Sequence, residues 1–415
     1  MTPKAEIIAI GDEILYGQTL DTNSHWISGV LDEINIKIHY RTTIGDDRDQ
    51  ILEAFQKGTE RSDIVLITGG LGPTKDDLTK PLLVEYFDTR LVMNKEALND
   101  IKTLFRRAGR EMTELNRKQA ELPENCIKIT NALGTAPGMW FEEKNTIFVS
   151  MPGVPYEMKK MMSDFVLPRL QKKYGNGVIH HKIIKTIGIP ESKLADKIIE
   201  WEEALPEHIK LAYLPSLGQV KLRLTALGDD LDALKEEVDD QIVKLKPLAG
   251  KYIYGYDKDE IELVIGKMLL KNSQTVATAE SCTGGFLAHL ITSIPGSSNY
   301  FQGSVIAYSN NIKINHLQVD ENLITSKGAV SEEVVRQMAE GVRSRLNTDV
   351  GLATSGIAGP DGGTDEKPVG TVWIAYSDQN KTTARKLQLT KDRKLNIQWS
   401  AYAALNLFRL NYSTS

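Results

Sequence analysis

The sequence predicts an α/β protein of three domains: a parallel-sheet domain, a small α+β domain and a second α/β domain at the C-terminal end. Two observations carry this. Short apolar runs alternate with amphipathic stretches in the first and last thirds, the order of strands crossing to helices and back. The 415 residues, 41% of them hydrophobic, suffice for about three cores at ~150 residues each. A polar, Gly-containing break at Lys172 to Gly177 separates the first third from the middle, so the expected domains are 1–170, 171–255 and 256–415.

In the first domain Ala5 to Ile10 alternates into a strand that ends at Gly11-Asp12-Glu13, and an amphipathic helix follows from Asn23 to Ile34. A strand (Ile36 to Thr43), a helix (Asp47 to Glu60) and an apolar strand (Ile64 to Thr68) continue the alternation. Ligands of such sheets gather at strand carboxyl ends, where two loops emerge: Gly11-Asp12-Glu13 and Gly69-Gly70-Leu71-Gly72-Pro73-Thr74-Lys75-Asp76-Asp77. Three glycines let backbone N–H groups close around phosphate oxygens. The loop lacks the G-K-[ST] of a Walker A motif. Carboxylates beside a phosphate repel it unless a divalent cation intervenes, so Asp76 and Asp77 point to Mg²⁺ or a similar hard ion. A Gly-Pro turn whose Asp caps a helix from Leu78 is the plainer alternative. Weaker loops follow at Asn131 to Gly138 and Met151 to Pro155, with Glu157 at a helix start.

The middle domain reads as a strand (Ile179 to Ile187), a helix opened by Pro190 (Glu191 to Trp201), two strands (Lys210 to Leu214, Gln219 to Ala226), a helix (Leu231 to Leu245) and a short strand (Lys251 to Tyr254). In the third, Asp257 is placed to cap a helix through Ile261 and Leu269. The octet T-A-E-S-C-T-G-G (Thr278 to Gly285) then joins a strand (Thr275 to Ala279) to a helix (Phe286 to Ile294). That layout puts the Ser281 hydroxyl at a helix N-terminus, where unpaired N–H groups can stabilise developing negative charge. Taken alone, the octet also reads as a capped turn. A strand (Val305 to Tyr308) ends in Tyr308-Ser309-Asn310-Asn311-Ile312-Lys313, and another (Val350 to Ala353) runs into the glycine loop Gly356 to Gly363. Strands Gly370 to Tyr376 and Ala384 to Leu389 precede a closing helix from Asp392 through Phe408.

If Lys313 lies within hydrogen-bond reach of Ser281 it can remove the serine proton; otherwise it is a solvated surface cation. Bringing a lysine from its ordinary pKa of about 10.4 to the ~7–8 suited to a general base costs roughly 4 kcal/mol. A dry pocket without a carboxylate, helped by hydrogen bonds from Tyr308 or Asn310, could supply it. Cys282 is intrinsically more nucleophilic, but no His is placed by local sequence to form a thiolate pair with it. Neither G-x-S-x-G nor S-x-x-K surrounds Ser281.

Composition narrows the rest. No run of about 18 apolar residues occurs, and the first ten residues lack a signal core, which argues for a cytoplasmic protein and against any membrane partner. Cys126 and Cys282 lie far apart with no C-x-x-C, and the seven His fall at no metal-ligand spacing. A net charge of −5 gives no bulk attraction to nucleic acid.

The chain resembles the CinA (competence/damage-inducible) family. The resemblance is carried by I-G-D-E-I-L-Y-G-Q-T-L-D-T-N from Ile10, G-G-L-G-P-T-K-D-D from Gly69, N-R-K-Q-A from Asn116, G-T-A-P-G from Gly134, M-P-G-V-P-Y-E-M from Met151, the octet at Thr278, Tyr308 to Lys313, and Gly356 to Gly370. It implies a molybdopterin-binding-like first domain acting as a metal-dependent ADP-ribose pyrophosphatase. Asp12, Asp76 and Asp77 would be metal or water-activating carboxylates. Gly70, Gly72, Thr74, Gly134 and Thr135 would contact substrate. It implies a KH-type middle domain, but here the G-x-x-G turn reads Gly188-Ile189-Pro190-Glu191, and the acid argues against RNA and for a spacer or dimerisation module in a homodimer. It implies a third domain that deamidates nicotinamide mononucleotide without a cofactor. There Ser281 would be the nucleophile, Lys313 the base and Tyr308 their orienting partner. Thr283 and Gly284 would hold the oxyanion, and Asn310, Gly356, Ala358, Gly359 and Arg393 would bind the nucleotide. Two alternatives stay open: a first domain that only binds a molybdopterin-like ligand, and a competence or DNA-repair adaptor with vestigial pockets.

Overall fold

The computed structural model describes residues 3–74, 77–107, 109–143, 145–175 and 177–412. It divides into two compact units, Met1–His180 with Leu227–Leu234, and His181–Ala226 with Lys235–Ser415, so most of the middle segment packs with the C-terminal one.

In the first unit β1 (Lys4–Ile10), α1 (Asp12–Leu15), α2 (Thr22–Glu33), β2 (Lys37–Ile44), α3 (Arg48–Arg61) and β3 (Ile64–Thr68) follow the expected alternation. Asp21 and Asp47 cap α2 and α3 by accepting from Ser24 N and Gln50 N. Beyond them lie α4 (Thr79–Tyr86), β4 (Leu91–Met93), α5 (Lys95–Arg107), α6 (Glu114–Lys118), β5 (Glu121–Pro123), β6 (Ile127–Ile129), β7 (Gly138–Glu143), β8 (Thr146–Met151), α7 (Pro155–Met161), a π-helical turn (Met162–Val166) and α8 (Leu167–Tyr174). The main sheet runs β2-β1-β3-β8-β7-β6. Its first four strands are parallel, β7 pairs antiparallel with β8, and β6 pairs antiparallel with β7. Every residue of β3 is buried, because α2 and α7 cover one face of the sheet and α3 and α4 the other. The polar break expected at Lys172 to Gly177 starts later, because α8 continues through Tyr174 with Lys172 and Lys173 in its last turn, where the helix dipole favours cations.

The second unit holds a four-stranded sheet of order β10-β11-β9-β12, built from β9 (Val178–Ile187), β10 (Ile209–Ser216), β11 (Gln219–Gly228) and β12 (Ile253–Tyr256), with α9 (Glu191–Glu203) and α10 (Leu231–Ala249). The third expected domain contains α11 (Ile261–Lys271), β13 (Val276–Glu280), α12 (Phe286–Thr292), β14 (Phe301–Ile306), α13 (Asn310–Leu317), α14 (Glu321–Lys327), α15 (Glu332–Arg345), β15 (Val350–Gly356), β16 (Thr371–Ser377), β17 (Thr382–Gln388) and α16 (Arg393–Asn411). Its sheet runs β14-β13-β15-β16-β17, with β13 parallel to both neighbours and the last two strands antiparallel. α11, α12 and α16 bury Leu269, Leu287 and Phe408 on one face, while α15 buries Val334, Met338 and Val342 on the other.

Asp257 does not cap α11. Its carboxylate accepts from Ile183 N at 3.0 Å and pairs with Lys182 at 2.8 Å, and Glu260 occupies the cap position. Among the described residues no helix is long and apolar enough to cross a membrane.

Where α15 crosses β15 the two backbones touch: a Cβ on Gly351 would stand 2.1 Å from the Ala339 carbonyl oxygen and 2.9 Å from Arg343 Cβ. Gly351→Ala must push the helix off the sheet, at about 1–3 kcal/mol. A thermal melt of this variant is expected to show its transition lowered by several degrees. An unchanged melt would mean that α15 yields freely.

Candidate functional site

β13 sits at a reversal of strand order. From it the chain crosses through α12 to β14 on one side and then, through α13 to α15, to β15 on the other. A crevice opens at the carboxyl end of a strand so placed. Residues 281–285 occupy it, with Gly284 and Gly285 at φ +58 and +101 turning the chain into α12.

The carboxylate of Glu280, the last residue of β13, is fully buried under that helix. It accepts the N–H groups of Gly285 (3.0 Å), Leu287 (3.0 Å) and Ala288 (2.8 Å) and the Thr283 hydroxyl (2.7 Å). The helix N-terminus expected to serve Ser281 is therefore already occupied by an internal anion. The Gly284 N–H is also engaged, bonding the Ser281 carbonyl at 3.2 Å, which corrects its place as an oxyanion donor. The Thr283 N–H has no hydrogen-bond partner among the described residues.

Ser281 is anchored by its N–H to the Thr354 carbonyl at 2.9 Å. Lys313 reaches it from α13, which Ser309 caps, so the lysine lies on a helix and not on the expected loop. Its side chain is 1% exposed, and Nζ donates to Ser281 Oγ at 3.2 Å and to the Ala307 carbonyl at 2.7 Å. Among the described residues no carboxylate pairs with it, and burial holds its pKa below the usual lysine value. The neighbouring Cys282 is buried too, and desolvation pushes its thiol up to about 12, so it stays protonated.

Tyr308 is 61% exposed, and its hydroxyl accepts from Arg393 Nη2 at 2.9 Å. It does not orient the dyad, and exposed Asn310 does not bond Lys313 either. The second partner of Lys313 Nζ is the Ala307 carbonyl. Arg393 Nη1 donates to Gly359 O at 2.7 Å, gathering Tyr308, Gly359 and Arg393 into one cluster. The Ala358 carbonyl accepts from Asn396 Nδ2 at 2.9 Å, and Gly356 ends β15 against Val372.

The first unit repeats the topology. β1 lies between β2 and β3, and a cavity of about 570 Å³ opens at its carboxyl end. Gly69 lets the second loop pass over β1, since a Cβ there would stand 2.0 Å from the Ile10 carbonyl. Gly70, Gly72, Thr74, Asp77 and Thr135 line the cavity, whereas Gly134 packs on Glu157 behind it. Asp76 lies outside the described residues. Asp77 folds back on its own loop, accepting from Gly72 N (2.8 Å), Thr74 N (2.9 Å) and the Thr74 hydroxyl. Asp12 is exposed beside the cavity, and Glu13 and Asp46 form the wall. Burial raises the Asp46 pKa, and repulsion from Asp12, Glu13 and Asp77 adds to it.

Among the described residues no three His, Cys, Asp or Glu are grouped closely enough to hold a metal ion by themselves. Mutually repelling carboxylates do suit a cation that takes only one or two protein ligands and completes its shell with phosphate oxygens and water. Asn23 and Gln119, which the sequence reading did not single out, add buried acceptors to the wall. Asn23 Nδ2 donates to Thr68 Oγ1 (2.9 Å) and Gly153 O (2.7 Å), leaving Oδ1 without a partner, and Gln119 Oε1 has none. Nothing in local sequence announces an orphaned oxygen.

Comparison with known proteins agrees with this architecture. A "CinA-like protein" of Cytophaga hutchinsonii is 50% identical over 405 residues, 98% of this chain and 97% of its own. The chain belongs to the CinA family. Residues 258–411 match the CinA C-terminal domain, 6–172 the "probable molybdopterin binding domain", and 181–255 the KH domain of damage-inducible protein CinA. A "putative competence-damage inducible protein" of Halothermothrix orenii is 44% identical, covering 94% of each chain. Among solved structures, CinA of Thermoplasma acidophilum is 32% identical over 42% of this chain and 98% of its own, with a TM-score of 0.37.

The depressed Lys313 pKa has a measurable consequence for this CinA chain. Between that value and the unfolded pKa of about 10.4, the unfolded chain binds more protons than the folded one, so this lysine adds stability as pH rises. Lys313→Met removes that dependence. The melting temperature of the wild type is expected to gain on that of Lys313→Met as pH rises towards the unfolded pKa of about 10.4. Parallel curves would show an ordinary, solvated lysine.

Proposed function

We propose that the chain is a two-site hydrolase: a Ser-Lys amidase acting on nicotinamide mononucleotide, and a metal-assisted ADP-ribose pyrophosphatase in the first domain. The observation that carries the first activity is the 3.2 Å contact between Lys313 Nζ and Ser281 Oγ, with no counter-charge on Lys313 among the described residues. A neutral Lys313 amine keeps one N–H on the Ala307 carbonyl and offers its lone pair to the Ser281 hydroxyl. Ser281 Oγ attacks the carboxamide carbon as its proton passes to Nζ. The tetrahedral oxyanion is held by the Thr283 N–H. Its collapse breaks the C–N bond, and Lys313 returns the proton so that ammonia leaves. Water, deprotonated by the same amine, then releases nicotinate mononucleotide and frees Ser281. Arg393, steadied by Gly359 and Tyr308, is the candidate for the substrate phosphate.

In the first domain the glycine loop and the acidic wall suit a diphosphate that arrives with a cation. A bound divalent cation would neutralise the diphosphate and supply a water of lowered pKa. Asp46 and Asp77 are the candidates to hold it, and Gly70 and Gly72 keep the loop close to the phosphates. The partnerless oxygens of Asn23 and Gln119 favour a hydroxyl-rich ligand, since each needs a donor. The engagement of both Asp77 oxygens by its own loop favours a second reading, binding of a molybdopterin-like compound without hydrolysis.

Product analysis separates the readings. With the full chain and nicotinamide mononucleotide, Ser281→Ala and Lys313→Ala should each lower ammonia release by at least about 100-fold, while Asp77→Ala leaves it intact. With ADP-ribose and Mg²⁺ the pattern should invert, AMP formation being lost in Asp77→Ala only. Retention of most of the rate in Lys313→Ala would refute the base. Binding of ADP-ribose without AMP would leave the first domain a binding module, and indifference of both reactions to all three substitutions would favour an adaptor.

A further inference from the structure

A second cavity, of about 380 Å³, lies within the second unit between the KH-type sheet and α16. It is walled by backbone. Gly188 follows β9 at φ +84 and Gly218 turns β10 into β11 at φ +67. A Cβ on Gly218 would stand 2.8 Å from Trp399 Nε1, and one on Gly188 2.9 Å from Asn406 Nδ2. Any side chain at either position would close the space or force α16 away.

The polar groups facing this cavity are unequal in an informative way. Gln219 Oε1 already accepts from the Tyr254 hydroxyl at 2.8 Å, and both ends of the Gln388 amide are bonded. What is left over donates. Asn406 is 4% exposed, and its Oδ1 takes Arg409 Nε (3.1 Å) and Nη2 (2.9 Å), which fixes the amide so that Nδ2 points away with no acceptor. Trp399 Nε1 has no acceptor, and the Arg385 guanidinium has neither an ion pair nor a hydrogen bond among the described residues. Among the described lining residues Glu191, exposed at the rim, is the one carboxylate that opposes this bias, and Glu262 and Glu260 lie behind Tyr402, whose hydroxyl pKa they help burial to raise. Half-buried Trp399 and Tyr402 with Ile189 and Leu387 supply flat and aliphatic walls.

Surplus donors beside aromatic faces call for an occupant with a ring and a negative group. We propose that this cavity is a ligand site for a planar heteroaromatic anion of mononucleotide size, its ring against Trp399 and its anionic group on Arg385. The volume falls in the range of small-molecule sites, about 300–1,000 Å³. The site is independent of both catalytic readings and excludes a nucleic-acid strand, which would carry successive phosphates past Glu191.

The test uses the full chain bearing Ser281→Ala, titrated with AMP and with nicotinate mononucleotide while tryptophan fluorescence and heat are followed. At least one probe should bind saturably with a Kd at or below about 100 µM, a free energy near −5.5 kcal/mol. The affinity should fall at least tenfold in Arg385→Ala, in Ala403→Phe, which fills the cavity, and when adenosine or nicotinic acid riboside replaces the nucleotide. The fluorescence change should vanish in Trp399→Phe and persist in Asp77→Ala and Arg393→Ala, which separates this site from the other two. Absence of saturable binding by either probe, or isotherms unchanged by both Arg385→Ala and Ala403→Phe, overturns the proposal.

Discussion

A carboxylate sealed from water gives the C-terminal site its shape. Glu280 leaves the end of one strand and gathers three N–H groups of the following turn and helix, with the Thr283 hydroxyl as a fourth donor. Burying an ion is tolerable only when such bonds replace its hydration. The same bonds hold the chain from 281 to 288 against the sheet, and so fix where Ser281 can stand. Lys313 shows the opposite arrangement. Its amine is buried with one carbonyl and one hydroxyl, and no anion among the described residues. The carboxylate is saturated with donors, whereas the amine lacks a counter-charge and its pKa is lowered.

The two outer domains solve the same geometric problem. Each has a first strand flanked on either side by the next two, so that helices diverge and a crevice is left at its carboxyl end. What fills the crevice differs. The first domain lines it with glycine loops and carboxylates, and the last with a hydroxyl and a concealed amine. A common architecture thus suits unlike chemistries because the strand order fixes only where a ligand can sit.

Sequence pattern located most of the early elements. β3 was legible at Ile64 to Thr68 because a parallel strand covered on both faces is apolar throughout. Between Leu78 and Met151 the pattern failed for the strands of three residues, which are too short to show a period. β7 and β8 were overlooked for another reason: the Gly and Pro residues flanking them were read as loops, and the apolar runs between were not weighed. In the site, Ser281 was legible from its place at a strand-to-helix turn, but its pairing with Lys313 rested on family resemblance, since their separation in sequence carries no distance. The strand read to Tyr308 ends at Ile306, and Ser309 starts a helix, which turns Tyr308 outward and Lys313 inward. Glu280 drew no reading from the sequence, because its burial depends on the helix that folds over the end of its strand.

The loop that carries Asp77 is stitched to itself by the very oxygens a cation would want. If Asp77 holds the proposed cation, the ion must be exchanged for two backbone bonds, so ion affinity and loop order would be thermodynamically linked. Whatever loosens Gly72 to Thr74 would then tighten the hold on the ion.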